Sequence, residues 1–349
     1  MKLQIKSPFL WFGTPIGGNP KPWKHFKIDG LMPNAFDIMR SPSAHESVSK
    51  KGIHSHLGFH GLVMMDSGGF LFMKKRDVTI SAFDVLDLYE NGKPNLGVVL
   101  DHPLVPKLSN HVKRKRQLKT LSNTRAMVSN RKSSNPVIVP VVHGYTPDSI
   151  KWYLRRLDKI GHFPIYGIGS LVPSVFNTKG NGGIFNVIET IHEVRKHLSS
   201  EAKIHVFGIG STVTMHLMYA AGADSLDSSA WRSKAAFGAI QLPGIGDRFI
   251  TGRAGKATGK KYLNLSEEEK RTLEECRCPV CKQGGLPELK RSFTKRALHN
   301  AWVLQREVEK ARRLLKENQY DDYVERVVGK TRFRNALRLA RSLERLSLP

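Results

Sequence analysis

Ala223-Asp224-Ser225-Leu226-Asp227-Ser228-Ser229-Ala230-Trp231-Arg232 places a carboxylate, Asp227, at the end of a short extended run and directly before a basic segment. The same pattern recurs upstream. Leu62-Val63-Met64-Met65 runs into Asp66, residues 96–100 into Asp101, 137–142 into His143-Gly144, 165–168 into Gly169-Ser170, and 204–207 into Gly208. Two weaker extended segments, residues 9–14 and 27–33, precede them and bring the total to eight. Short, nearly continuous apolar runs separated by helical stretches belong to parallel strands buried on both faces. Eight such units predict an α/β fold of the TIM-type (β/α)8 barrel, with an open doubly wound sheet as the alternative. In a barrel the functional residues gather where the strands end, so Asp66, Asp101, His143, Gly169, Gly208 and Asp227 are expected to converge. Asp224 begins its strand and is assigned a structural role.

The 349 residues carry 56 Lys plus Arg against 30 Asp plus Glu, a formal charge of +26, with 40% hydrophobic residues. That hydrophobic share is enough for a substantial core. The positive excess goes beyond what solubility needs and attracts a polyanion, nucleic acid first. No apolar run reaches the roughly 18 residues of a spanning helix, and no signal peptide opens the sequence, so no membrane and a cytoplasmic location are expected. All three cysteines fall within six residues, which excludes a disulfide framework and points to metal ligation in a reducing compartment.

Residues 15–22 form a Gly/Pro-rich loop expected to lie over a site, and residues 50–61 a His- and Gly-rich loop. Between Asp101 and Asp148 there is no acid but nine cations, Lys113, Arg114 and Arg116 among them, a run suited to phosphates. Residues 231–261 carry Arg232, Lys234, Arg248 and Arg253 with many glycines and read as a mobile basic loop for nucleic acid. Trp231 has two readings there, stacking on a base or packing inside. An acidic helix over 266–275, capped by Ser266, leads into Cys276-x-Cys278-x-x-Cys281, and a long helix over 294–318 carries His299. Three thiolates and one imidazole make a closed tetrahedral set for structural Zn2+. The expected division is a catalytic barrel over 1–262, a zinc-binding subdomain over 263–318, and a basic helical tail over 319–349.

Paired carboxylates at one barrel mouth suit chemistry at a glycosidic carbon, one as nucleophile and one handling protons. Gly68-Gly69 and Gly167-x-Gly169 let backbone approach a flat ligand. His102 and His143 are candidates for ligand contact, against the ordinary reading as internally hydrogen-bonded histidines.

Together these pieces resemble the queuine/archaeosine-type tRNA-guanine transglycosylase superfamily over residues 60–315. Met65-Asp66-Ser67-Gly68-Gly69-Phe70 is similar to its Asp-Ser-Gly-Gly-aromatic motif, and Leu100-Asp101 resembles its second base-recognising aspartate. Val142-His143-Gly144 falls where the family usually has Gln-Gly, and Ile168-Gly169-Ser170-Leu171 where bacterial members have Gly-Gly-Leu. Gly222-Ala223-Asp224-Ser225-Leu226-Asp227 matches the segment ending in the nucleophile, and the cysteine knuckle with His299-Asn300 matches the zinc site. The resemblance implies a pentosyltransferase: Asp227 attacks the anomeric carbon of a guanosine nucleotide, guanine departs, and a 7-deazaguanine free base enters, with Asp66 as general acid/base.

Two departures bear on the substrate. Ser228-Ser229-Ala230-Trp231-Arg232 replaces the usual Cys-x-x-Pro-Thr-Arg, and Leu171-Val172-Pro173-Ser174-Val175 has no glutamate to suit a cationic aminomethyl group. A neutral 7-cyano group fits better. With the high positive charge, these features resemble the branch that inserts 7-deazaguanines into DNA, known from bacterial modification islands and phages, where the location is the host cytoplasm. Base flipping would then deliver the guanosine. A tRNA enzyme of the same mechanism, a non-catalytic nucleic-acid-binding subunit and a hydrolytic glycosidase are the alternatives. A homodimer or partner modification proteins are compatible with all of them.

Overall fold

The computed structural model describes residues 5–69, 80–176, 183–251 and 265–345. Strand β1 (Phe9–Gly13) pairs in parallel with β2 (Gly30–Met32), which pairs with β3 (Leu62–Met65), then β4 (Leu96–Val98) and β5 (Val137–Val139). On its other side β1 pairs with β9 (Ser225–Ser228), followed by β8 (Lys203–Val206), β7 (Ile165–Ile168) and β6 (Val141–Val142), again all parallel. The two ends of this order, β5 and β6, are separated in the chain only by Pro140, which has no N–H to give to a ladder. Val99 N donates to Val139 O on one flank, and Gly167 N to Pro140 O on the other. The sheet therefore curls round to meet itself on one proline-interrupted strand, which makes it the expected parallel barrel.

Alternation along the strands divides the core in two. Phe9, Trp11, Met64, Val98, Val139 and Ile165 fill the barrel interior, while Leu10, Phe12, Leu31, Val63 and Met65 pack against the surrounding helices. Both faces of each strand are dry, so the runs read as continuously apolar.

Several boundaries differ from the sequence expectation. The second strand shrinks to Gly30–Met32, and Asp227 lies inside β9, in register with Trp11, rather than beyond it. Apolarity ended that strand too early: Ser228 remains in it, paired with Phe12 of β1, with its buried hydroxyl satisfied by donating to the Gly210 carbonyl. The expected 50–61 loop contains the helix Ile53–Leu57, flanked by Gly52 (φ 80°) and Gly58 (φ 60°), with Ile53 and Leu57 buried one turn apart.

The expected mobile loop after Asp227 is ordered over its described part. Helix Ala230–Ala236 is followed by the antiparallel pair β10 (Ala239–Leu242) and β11 (Gly246–Phe249). Ile240, Leu242 and Ile250 are buried with Leu298 of the long helix Phe293–Lys316. Composition registered the cations and glycines and missed these alternating apolar positions. Arg253, Lys256, Lys260 and Lys261 lie outside the described residues.

Helix Glu267–Glu274 begins as read, with a capping box: Ser266 Oγ accepts from Glu269 N at 3.2 Å and the Glu269 carboxylate from Ser266 N at 3.0 Å. The C-terminal helices Tyr320–Val328 and Arg334–Arg345 pack back on the barrel. A buried cluster ties the first of them down: His216 lies 2.8 Å from Glu307 and 3.0 Å from the Tyr320 hydroxyl, and Tyr323 donates to Glu307 at 2.7 Å. No described helix is long and apolar enough to cross a membrane.

Candidate active site and metal centre

A cavity of about 490 Å³ opens at the C-terminal ends of the strands and is lined by Asp66, Asp101 and Asp227. Asp66 follows β3 and is held through its backbone, its N–H to Pro33 O at 2.9 Å and its carbonyl accepting from Ala35 N at 2.7 Å. Asn34 Nδ2 donates to its Oδ2 at 2.7 Å. Burial, reinforced by the negative charges of Asp101 and Asp227, pushes the Asp66 pKa up to about 7, and the backbone N–H groups of Gly68 and Ser67 only partly offset this. Such a carboxyl both gives and takes a proton near neutrality.

A consequence follows for stability. The folded chain keeps the Asp66 proton up to about pH 7, whereas an unfolded aspartate loses it near its ordinary 3.8. The folded state thus binds more protons between those values, so this group's contribution to stability falls as pH rises from about 4 to about 7 and is level above. Asp66→Asn, which has no proton to lose, is expected to gain about 4 kcal/mol on the parent between pH 4 and pH 8. Denaturant unfolding of both proteins at the two pH values measures this, and a difference that does not change with pH would refute it.

Asp101 is set by a chain of contacts. Ser170 Oγ accepts from Leu104 N at 2.7 Å, which leaves its proton free to go to His143 Nδ1, 2.9 Å away. His143 then carries its hydrogen on Nε2, 3.1 Å from Asp101 Oδ2 but off the line of a good hydrogen bond, so that contact is chiefly electrostatic. Ser170 takes a positive φ of 70° to reach this position. Glycine is required at two neighbouring points: a Cβ on Gly69 would stand 2.2 Å from Asp101 Oδ1, and one on Gly169 would stand 2.7 Å from the His143 ring.

Gly68, Gly69, Asp101, Gly169 and Ser170 line the cavity. Ser67, His143, Gly144 and Leu171 stand behind its wall: Ser67, His143 and Leu171 are buried, and Gly144 backs onto Ile150. They are not among the lining residues, so in this structure they back the wall of the cavity. Phe70 lies outside the described residues. His102 points at Asn123 at 3.3 Å, and burial followed by the Lys119 charge pulls its pKa down to about 4. Sequence reasoning passed over Met32, Val98, Val141, Pro173 and Phe207, which give the cavity an apolar lining. The expected cover by residues 15–22 is not found among the described lining residues.

On the opposite wall, Asp227 Oδ1 accepts from Gly208 N at 2.6 Å and lies 3.4 Å from His205 Nε2. His205 was not singled out from the sequence, although a histidine between Ile204 and Val206 in a barrel strand is a readable signal. Asp224 is held at the other end of the same strand by Arg195 (2.7 Å), Lys203 (3.0 Å), Ile204 N (2.9 Å) and Ser7 Oγ (2.9 Å). It ties the strand starts together, the structural role expected for it.

The three cysteines and His299 converge, their ligand atoms all within 4.8 Å of one another. The His299 Nδ1 to Sγ distances are 3.8, 3.5 and 3.5 Å for Cys276, Cys278 and Cys281. A tetrahedral ion with metal–sulfur bonds of about 2.3 Å and a metal–nitrogen bond of about 2.1 Å requires roughly 3.6 Å. His299 Nε2 faces Gln241 O at 3.0 Å and so carries the hydrogen, leaving Nδ1 as the lone-pair donor. The donor set fits a metal ion.

A family model described as queuine tRNA-ribosyltransferase matches residues 19–332. The chain belongs to this family. It is 25% identical to a tRNA-guanine(15) transglycosylase of Thermococcus onnurineus, over 86% of this chain and 48% of that protein. The proteins of the same description from Methanococcus vannielii and Methanosarcina mazei are each 26% identical, over 85% and 88% of this chain and 44% and 58% of theirs. The chain spans about half the length of the curated relatives it matches.

In this family member the cations singled out for nucleic acid are largely engaged within the fold. Trp231 is fully buried and its indole donates to Gly13 O at 3.0 Å, so base stacking is replaced by packing. Lys234 pairs with Asp247 at 2.5 Å, Arg248 with Glu269 at 2.6 Å, and Arg232 lies over Phe293. On helix Asn110–Asn130, Arg114 stacks on Trp152 with its guanidinium carbon 3.4 Å from the ring centroid, Arg116 donates to Pro103 O at 2.7 Å, and Lys113 lies over Tyr145. The same helix turns polar side chains inward: Thr120 accepts from His102 N at 2.9 Å and Asn123 donates to Leu100 O at 2.7 Å, fixing the segment that carries Asp101. Lys115, Lys119 and Arg125 are its exposed cations, and Lys107 is exposed just before it.

Proposed function

We propose that the protein is a guanine transglycosylase that exchanges a guanine of tRNA for a 7-deazaguanine through a covalent intermediate on Asp227. The observation that carries this reading is the single cavity in which Asp227 faces Asp66, a carboxyl tuned to neutrality, with Asp101 beside them. An oxygen of Asp227 attacks the anomeric carbon, the glycosidic bond breaks, and the departing guanine takes the proton of Asp66. The incoming base returns a proton to Asp66, its nitrogen attacks the same carbon, and the Asp227 carboxylate leaves. Protons balance over the cycle and the glycosidic bond energy is kept in the ester, so no external energy source enters.

Asp101, with its fixed His143–Ser170 support, is assigned to recognition of the base edge. The apolar part of the lining, Val172, Pro173 and Phe207 included, supports a neutral 7-substituent such as 7-cyano. Zn2+ is assigned to the cysteine–histidine centre as a structural ion, which shapes the fold around helix Phe293–Lys316 and takes no part in the reaction.

The choice of tRNA rests on the relatives' described activity. The sequence-based preference for DNA leaned on the segment 228–232, whose tryptophan is now accounted for by packing. Incubation with 7-cyano-7-deazaguanine and either tRNA or duplex DNA, followed by nucleoside mass spectrometry, is expected to show the modified nucleoside in tRNA with stoichiometric guanine release. Modified DNA beside unmodified tRNA would reverse the substrate. Guanine released without an incoming base would make the protein a hydrolase, and no exchange on either polymer would make it a non-catalytic subunit.

A further inference from the structure

We propose that His205 is a positioning residue for Asp227: it helps choose which carboxylate oxygen attacks and eases departure of that carboxylate in the second half of the exchange. This rests on the reading of Asp227 as nucleophile. β8 points His205 into the barrel, fully buried, one layer below Asp227 and beside the apolar Phe9, Trp11 and Ile165. The strands fix its place, since β8 pairs with β9 with His205 opposite Ser225.

The contacts settle the tautomer. Nδ1 lies 3.0 Å from the buried Ser225 Oγ, and Nε2, which makes no hydrogen bond among the described residues, lies 3.4 Å from Asp227 Oδ1, off the line of a good hydrogen bond, so that contact is chiefly electrostatic. Were the hydrogen on Nδ1, the Nε2 lone pair would face a carboxylate across a dry interior, which is repulsive. Ser225 donating to Nδ1, with hydrogen on Nε2 facing the anion, is the favourable arrangement. Phe207 packs edge-on against the imidazole, ring centroids 4.4 Å apart, and holds its plane.

Gly208 N donates to Oδ1 and the His205 Nε2–H lies nearest the same oxygen, which leaves Oδ2 as the oxygen free to attack. In the ester, Oδ2 bonds to the sugar and Oδ1 becomes the carbonyl oxygen. When the incoming base displaces the ester, negative charge returns to the carboxylate, and the N–H dipole of His205, 3.4 Å from Oδ1 in a dry interior, stabilises that charge electrostatically as it develops. Loss of the donor is expected to act on resolution of the adduct more than on its formation.

The test is a pulse and chase. Protein and tRNA are mixed without incoming base, the covalent adduct is quantified on a denaturing gel, and 7-cyano-7-deazaguanine is added to resolve it. In His205→Leu the chase is expected to slow by about tenfold and the adduct fraction to rise, while His205→Gln, which restores a donor, recovers most of the rate. Ser225→Ala, a smaller change, is expected to slow the chase about threefold by releasing Nδ1. A chase rate and adduct fraction equal to the parent's in His205→Leu would overturn the proposal, as would equal losses in the Leu and Gln variants. If His205→Leu does not fold, a parental chase rate in Ser225→Ala would do the same. Absence of any adduct in the parent would overturn the Asp227 reading itself, and this proposal with it.

Discussion

Asp227→Asn is expected to lose base exchange by about 10⁴-fold or more and to form no covalent adduct, because the amide is not a competent nucleophile. The fold should hardly notice. The side chain is at the rim of the cavity, and the Asn oxygen still accepts from Gly208 N, so the change in stability is expected to stay within about 1 kcal/mol. Adduct formation on a denaturing gel, nucleoside analysis and an unfolding curve on the same preparation separate the two effects. Exchange within tenfold of the parent would remove Asp227 from the mechanism. Asp224→Asn is the instructive contrast. Asp224 ends in two cation contacts and two further hydrogen bonds, so its loss is expected to act through stability rather than chemistry.

The second large effect is expected at the metal centre. Cys278 is fully buried, and its replacement by serine removes one of four ligands from a set that supplies folding energy, with structural zinc sites worth about 10–16 kcal/mol in isolated peptides. Cys278→Ser, or prolonged chelation of the parent, is expected to release one metal ion per chain and open the region from β10 to the start of the long helix to proteolysis. Activity should fall with it. Asn300, one residue after His299, donates to Trp231 O and Ala239 O and accepts from Gln241 N, so the ligand helix also fixes helix Ala230–Ala236, directly after Asp227. Elemental analysis and limited proteolysis test this. A metal-free parent with unchanged unfolding temperature would show that the cluster is not a folding site.

Much of the active-site plan was legible because a barrel with both strand faces dry writes each strand as an apolar run, and the residue that ends the run marks the mouth. Asp66, Asp101, Gly169 and Asp227 were found in that way, and Asp224 was set apart from Asp227 by standing at the wrong end of its run. The candidate metal ligands were legible for another reason: all three thiols of the sequence fall within six residues, a pattern that suits metal ligation. What escaped were residues whose function comes from a partner distant in sequence. Asn34 reaches Asp66 across 32 residues, and His205 meets Asp227 only because two parallel strands lie side by side.

Charge was the least transferable signal. A count of cations gives the sign of the partner, yet Arg114, Arg248 and Lys234 each carry their charge into a stack or an ion pair that only the packed neighbours define. Trp231 makes the same point for aromatic residues, since whether an indole meets a base or a carbonyl depends on what packs over it. By itself, then, the sequence determined the strand-and-helix periodicity, the places where strands end and the chemical types standing there, because these follow from local burial and valence. The tertiary structure alone decided the near-neutral carboxyl at Asp66, the wall residues behind the cavity, and the Gly208 N–H and His205 imidazole beside one oxygen of Asp227. Each of these depends on how close groups from different strands come in a dry, low-dielectric interior, a distance that no local pattern encodes.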